Sequence, residues 1–143
     1  MPDICFQTDS DGFICEPELT DAGIESVHVQ CDSIVLRLDI PKGDGARFAI
    51  TCQGIVASRI DHLTTQNISL DFFVSSAVKP GSATISKGLL DSLFGHGQVV
   101  SVTRESAESM LQQGSAVLFG NEPSCGCEVA VLCRAVLVSS VQR

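Results

Sequence analysis

VHVQCDSIVLRLDI at residues 27–40, followed across a short gap by RFAITCQGIVASRI at 47–60, decides the fold class. Both runs are long, rich in β-branched residues and bounded by turn residues, and they carry the period-2 pattern of half-buried strands. In the first, Leu36 and Leu38 fall on one face and Val35, Arg37 and Asp39 on the other. The alternation slips at residues 31–33, which marks a tight turn between a strand at 27–30 and another at 34–40. PKGDG at 41–45 is a strong turn, because Pro fixes φ and the glycines accept φ > 0. A strand at 48–58 follows it. Together these strands form the middle of an antiparallel sheet or small barrel.

Working outward, residues 4–6 and 12–15 read as a first hairpin around DSDG at 9–12. Residues 17–24 carry turn chemistry with a short turn of helix. NISLDFFV at 67–74 is a strand with Ile68, Leu70 and Phe72 on one face, and KPGS at 79–82 turns again. The second half is mixed. SKGLLDSLF at 86–94 places Leu89, Leu90, Leu93 and Phe94 at helical spacing, with Gly95 as the stop. A short strand follows at 99–102. Thr103 caps a second helix to about Gln113, with Glu105 and Glu108 near its positive end and Gly114 after it. Residues 116–119 read as a strand, 120–126 as a loop, and 127–141 as a long final strand. The fold class is α+β, predominantly antiparallel β: a curved sheet or small barrel with two short helices in the C-terminal half.

The 143 residues suit a single domain, 1–143. A chain of this size buries roughly 70% of its unfolded surface, enough for its own core. The net charge is −8, unevenly distributed. Asp3, Asp9, Asp11, Glu16, Glu18, Asp21, Glu25 and Asp32 all precede Arg37, the first cation of the chain. Such a segment repels a phosphate backbone. All seven aromatics are Phe, a poor stock for a base-stacking platform. Nucleic acid and anionic membranes are therefore excluded as partners; the acidity itself reads as a solvated surface or, more sharply, as a surface that meets a basic partner protein. No basic-then-apolar leader and no run of about 18 apolar residues is present. A cytoplasmic location follows, with the seven cysteines read as thiols in a reducing compartment.

Candidate chemistry is sparse. Cys125-Gly126-Cys127 could grip a soft metal or act as a redox pair. It lacks two further ligands for tetrahedral zinc. Cys133 shares a face with Cys127 but lies about 20 Å along the strand. The competing reading makes Cys127 and Cys133 small buried hydrophobes, and Cys5, Cys15, Cys31 and Cys52 core residues likewise. His28 lies on a strand, His62 follows Asp61 in a polar loop, and His96 sits between two glycines. None is placed beside a nucleophile. No phosphate loop and no Gly-x-Ser-x-Gly elbow occurs. The chain is expected to be no enzyme, and no cofactor is implied.

Residues 34–75 resemble the central hairpin of PilZ-type β-barrels. The likeness lies in Leu38 to Pro41, Gly54 to Val56 and Leu70 to Phe73. Cyclic di-GMP-binding members carry an Arg-x-x-x-Arg arm and an Asp-x-Ser-x-x-Gly strand, and this chain has neither. The resemblance implies a degenerate domain whose nucleotide pocket would be lined by Arg37, Arg47 and Arg59, with Arg37 and Arg47 facing each other across the 41–45 turn. The leading expectation is a non-enzymatic interaction or regulatory module with an acidic face for a protein partner. The alternatives are this nucleotide-binding domain and a Cys125/Cys127 metal or redox protein. VAVLCRAVLV at 129–138 is apolar on both faces apart from Arg134, so it is central in the sheet or hidden in a homodimer contact.

Overall fold

The computed structural model describes residues 3–40, 45–75, 83–95 and 102–141. The strands are β1 (Asp3–Ile4), β2 (Gln7–Thr8), β3 (Ile14–Glu16), β4 (Ala22–Val29), β5 (Ser33–Asp39), β6 (Arg47–Asp61), β7 (Ile68–Ser75), β8 (Val117–Cys125) and β9 (Glu128–Val141). Helices α1 (Ala83–Phe94) and α2 (Arg104–Gln113) separate β7 from β8. The antiparallel order β9-β6-β5-β4-β7-β8 closes through a further β8–β9 pairing, giving a six-stranded barrel. β1 extends β9 at one end, and β2 and β3 form a separate two-stranded ribbon.

The run at 34–40 dictates the barrel interior. Ile34, Leu36 and Leu38 are fully buried, while Arg37 between them is exposed. They meet Ile50, Cys52, Phe72, Phe119, Val129, Val131, Cys133 and Val138 in one inward-facing core. Phe72 and Phe119 stack with centroids 6.0 Å apart. Burying side chains of this size contributes roughly 1.5–3 kcal/mol each. The interior is thus filled by side chains, as a small barrel requires, and a site must lie on the outside.

β6 and β9 are 15 and 14 residues long, and they bend together at a corner. Gly54 takes φ 67° there and donates its N–H to the Asp32 carbonyl at 2.9 Å. The stem of Arg134 lies directly over it: a Cβ at position 54 would sit 2.8–2.9 Å from three of its carbons. On the outer face, Ala57, Phe73, Leu118, Ala130 and Leu132 form a second core with Leu90 and Leu93 of α1 and Ala107 and Leu111 of α2. This outer layer explains the final strand. β9 is central, and both its faces are buried within one chain, so its composition does not by itself require a second copy.

Thr103 caps α2 by accepting the Ser106 N–H, and Gly114 ends it at φ 74°, as the sequence predicts. Four elements differ from the sequence expectation; one is residues 17–24, which hold no turn of helix and whose last three residues open β4. The first hairpin is β2–β3 rather than 4–6 with 12–15, because residues 3–4 are taken up by β9. Residues 120–125 are strand, not loop. Pro123 is tolerated because β8 beyond Gly120 pairs with β7 alone. There the side chain of Asn121 replaces the missing ladder, accepting the Val129 N–H and donating to the Cys127 carbonyl, both at 2.8 Å. In β7, register shifts around Ser69 break the alternation, so Leu70 faces solvent while Ser69 and Phe72 are buried. The predicted turns at 41–45 and 79–82 and the strand at 99–102 fall largely or wholly outside the described residues. Among the described residues, no helix is long and apolar enough to cross a membrane.

Candidate functional site

The outer face of the β7–β8 pair carries two consecutive cross-strand pairs of opposite character. Asp71 stands opposite Glu122, and two residues along the ladder, on the same face, Phe73 stands opposite Gly120. Gly120 leaves room for Leu89 of α1: a Cβ there would lie 2.4 Å from a Leu89 methyl, which would have to move aside. On the other side of β7, the β2–β3 ribbon is pinned by its tip. The Asp9 carboxylate accepts the Asp11 and Phe13 N–H groups at 2.9 and 3.1 Å, and the Gly12 carbonyl accepts the Val74 N–H at 2.8 Å. This sets the Phe13 ring edge-on to Phe73, with centroids 5.9 Å apart.

Between these elements lies a groove of about 280 Å³, lined by Phe13, Phe73, Ile85, Leu89, Gly120, Asn121, Glu122 and Pro123. Its walls are apolar and its end is acidic. The Asp71 carboxyl is held above its ordinary pKa of 3.8, first by partial burial and then by the charges of Glu122, Asp9, Asp21 and Glu18. These five carboxylates come from the ribbon, the following loop, β7 and β8, so the fold gathers acids that the sequence separates. Asp21 also lines a neighbouring polar depression of about 390 Å³ with Glu25 and Asp39, which carries the acidic surface on towards β4 and β5.

The sequence-predicted cations are dispersed. Arg47 pairs with Asp39 across the ladder and forms an ion pair with Glu25 at 3.3 Å, while Arg37 stands opposite Ala49. Arg59 is twelve residues along β6 from Arg47, roughly 40 Å by strand rise. It is ion-paired with Asp61 and donates to the Ser92 carbonyl of α1 at 3.1 Å. Arg37 and Arg47 thus share the outer surface of one strand pair, and Arg59 belongs to the β6–α1 contact.

Cys125 and Cys127 flank Gly126, whose φ of 77° turns the chain between them. Cys125 is exposed, with its thiol 3.7 Å from the Gln66 carbonyl, and Cys127 is buried. Cys133 is buried as well, but Cys5, Cys15 and Cys31, expected in the core, are exposed. They sit on the small ribbon and in turns, where no second layer covers them. Among the described residues no three His, Cys, Asp or Glu side chains group as a metal site. His28 contacts Gln30, and His62 lies 3.8 Å from Glu128; His96 falls outside the described residues.

Comparison of the chain with protein-family models, with curated proteins and with solved structures finds no match in any of the three.

Proposed function

We propose that the protein is a non-enzymatic interaction module that docks a basic, amphipathic segment of a partner protein. The partner's apolar side chains fill the groove between α1 and the β7–β8 pair. Its Lys or Arg residues meet Asp71 and Glu122 at the groove's end, with Asp9, Glu18 and Asp21 beyond. The observation that carries this reading is the placement of Asp71 directly opposite Glu122 on the ladder, with Glu122 lining the end of an apolar groove. A fold gains nothing for itself by setting two carboxylates opposite each other on a ladder, since like charges there destabilise. A cationic partner reverses the sign. An apolar concavity with a polar rim is also the usual form of a peptide-binding groove.

The test uses a defined probe, a labelled 14-residue Leu/Lys amphipathic peptide, followed by fluorescence anisotropy. The expected result is saturable binding that weakens with added salt and is lost when Asp71→Asn and Glu122→Gln are combined. Asp32→Asn, in the exposed turn between β4 and β5, should leave binding unchanged. Equal losses from Asp32→Asn and from the groove pair would reduce the interaction to net charge and sink the proposal. So would equal binding of a Leu/Glu peptide.

A further inference from the structure

A second concavity lies on the other side of α1. Ile85 and Leu89 point into the groove just described, whereas Ser86, Lys87 and Leu90 point towards α2. There they line a cleft of about 330 Å³ with Arg104, Glu108, Leu111 and Gln112. The helices are bridged at one point by Arg104, whose Nη1 contacts Asp91 at 2.6 Å and whose Nε contacts Glu108 at 3.3 Å.

The cleft holds donors that lack a partner. Ser86 is 4% exposed, and its hydroxyl is, among the described residues, the one buried side-chain polar atom without a hydrogen bond. Buried polar groups are nearly always partnered, and each exception asks for a reason. Lys87 forms no ion pair among the described residues, and the Nη2 group of Arg104 has no partner there. Hydroxyl, ammonium and guanidinium can all donate, while the floor between them is Leu90 and Leu111. The one acid in the lining, Glu108, is already engaged by Arg104. Arg104 is balanced by Asp91 and Glu108, which leaves Lys87 as the one cation of the lining outside an ion pair among the described residues, and a single such ammonium suits a monoanion better than a phosphate dianion.

We propose that the α1–α2 cleft binds a small amphipathic monocarboxylate. The carboxylate accepts from Ser86, Lys87 and Arg104 Nη2, and the hydrocarbon body lies on Leu90 and Leu111. The volume is in the range of ordinary small-molecule sites, and a carboxylate is an acceptor-only group that matches the unpartnered donors Ser86 and Lys87.

The test is calorimetric titration of the full chain with octanoate, octan-1-ol, octylamine and inorganic phosphate, read alongside methyl chemical shifts of Leu90 and Leu111. Octanoate should bind about tenfold or more tightly than the other three, and should shift both leucines. Lys87→Ala, an exposed substitution, should weaken octanoate by about tenfold. Ser86→Ala should weaken it too, while raising the Tm of the ligand-free protein, because it removes an unpartnered buried hydroxyl. Preferential binding of phosphate would replace the carboxylate with a different anion. Octanol or octylamine binding as well as octanoate, no binding of octanoate, or affinity indifferent to Lys87→Ala would each overturn the proposal.

Discussion

Replacing Asp71 by Asn should make the protein more stable and less able to bind. The carboxylate is partly buried and faces Glu122 directly across the β7–β8 ladder, with Asp9, Asp21 and Glu18 adding to the field. A directly opposed like-charge pair costs of order 0.2–1 kcal/mol; Asp71 is only partly buried, so the lower half of that range applies in salt. For a chain of 143 residues, that converts to a gain of about 1–2 °C in Tm at neutral pH. The sign against pH follows from linkage. The pKa of Asp71 is raised in the folded state, so the native protein holds its proton more tightly than the unfolded chain. Stability from this group is full below its ordinary pKa of 3.8 and is lost as pH rises through the higher folded value. The Asn variant has no such loss. Its advantage should therefore be present at pH 7, shrink in 1 M salt and vanish near pH 3, where the wild-type residue is already protonated. Thermal unfolding by circular dichroism at the two pH values measures this. A variant less stable than wild type at pH 7, or equally advantaged at pH 3, would show that Asp71 is held by a favourable interaction and that the acidic surface is not under repulsion.

Further outcomes follow from the scaffold. Gly54→Ala should cost about 2–4 kcal/mol, from a left-handed backbone and a clash with the Arg134 stem. In an Arg134→Gly background only the backbone part, about 1–2 kcal/mol, should remain, and chemical denaturation of the four proteins gives the coupling. Asn121→Ala removes the side chain that joins β8 to β9 and leaves the Val129 N–H and Cys127 carbonyl unpaired. A loss of about 2–4 kcal/mol is expected, with hydrogen exchange at Val129 accelerating first. In native buffer a thiol reagent should modify Cys5, Cys15, Cys31 and Cys125 quickly and leave Cys52, Cys127 and Cys133 protected; rapid modification of all seven would contradict the packed barrel interior.

The parts of the fold legible in the sequence are those where one physical signal dominates. The alternation through Leu36 and Leu38 has a packed barrel on one side and solvent on the other, so period 2 reads through without interference. Thr103 and Gly114 bracket α2 because capping chemistry is local. β8 was illegible for the opposite reason. Gly120 is set by the Leu89 methyl above it, Asn121 by a seam to β9, and Pro123 by an unpaired edge, so tertiary demands wrote a strand in loop residues. Leu70 fails the alternation because the register shifts around Ser69. The same limit applies to the candidate site. The run of acids before Arg37 is plain in the sequence and points to an acidic surface. That Asp71 and Glu122 join it depends on the β7–β8 register, and the groove beside them exists only once α1 has docked. Arg37, Arg47 and Arg59 are close in sequence, whereas strand rise spreads them along the outside of β6 and its neighbour.

The central claim is that an apolar groove with an acidic end receives a basic amphipathic segment. It is tested most directly by mapping amide and methyl chemical shifts of the labelled protein during titration with the Leu/Lys peptide. The account predicts that the largest shifts cluster at Phe13, Asp71, Phe73, Leu89, Asn121 and Glu122. Shifts centred instead on Glu25 and Asp39, on the α1–α2 cleft, or spread evenly over every exposed carboxylate would contradict it.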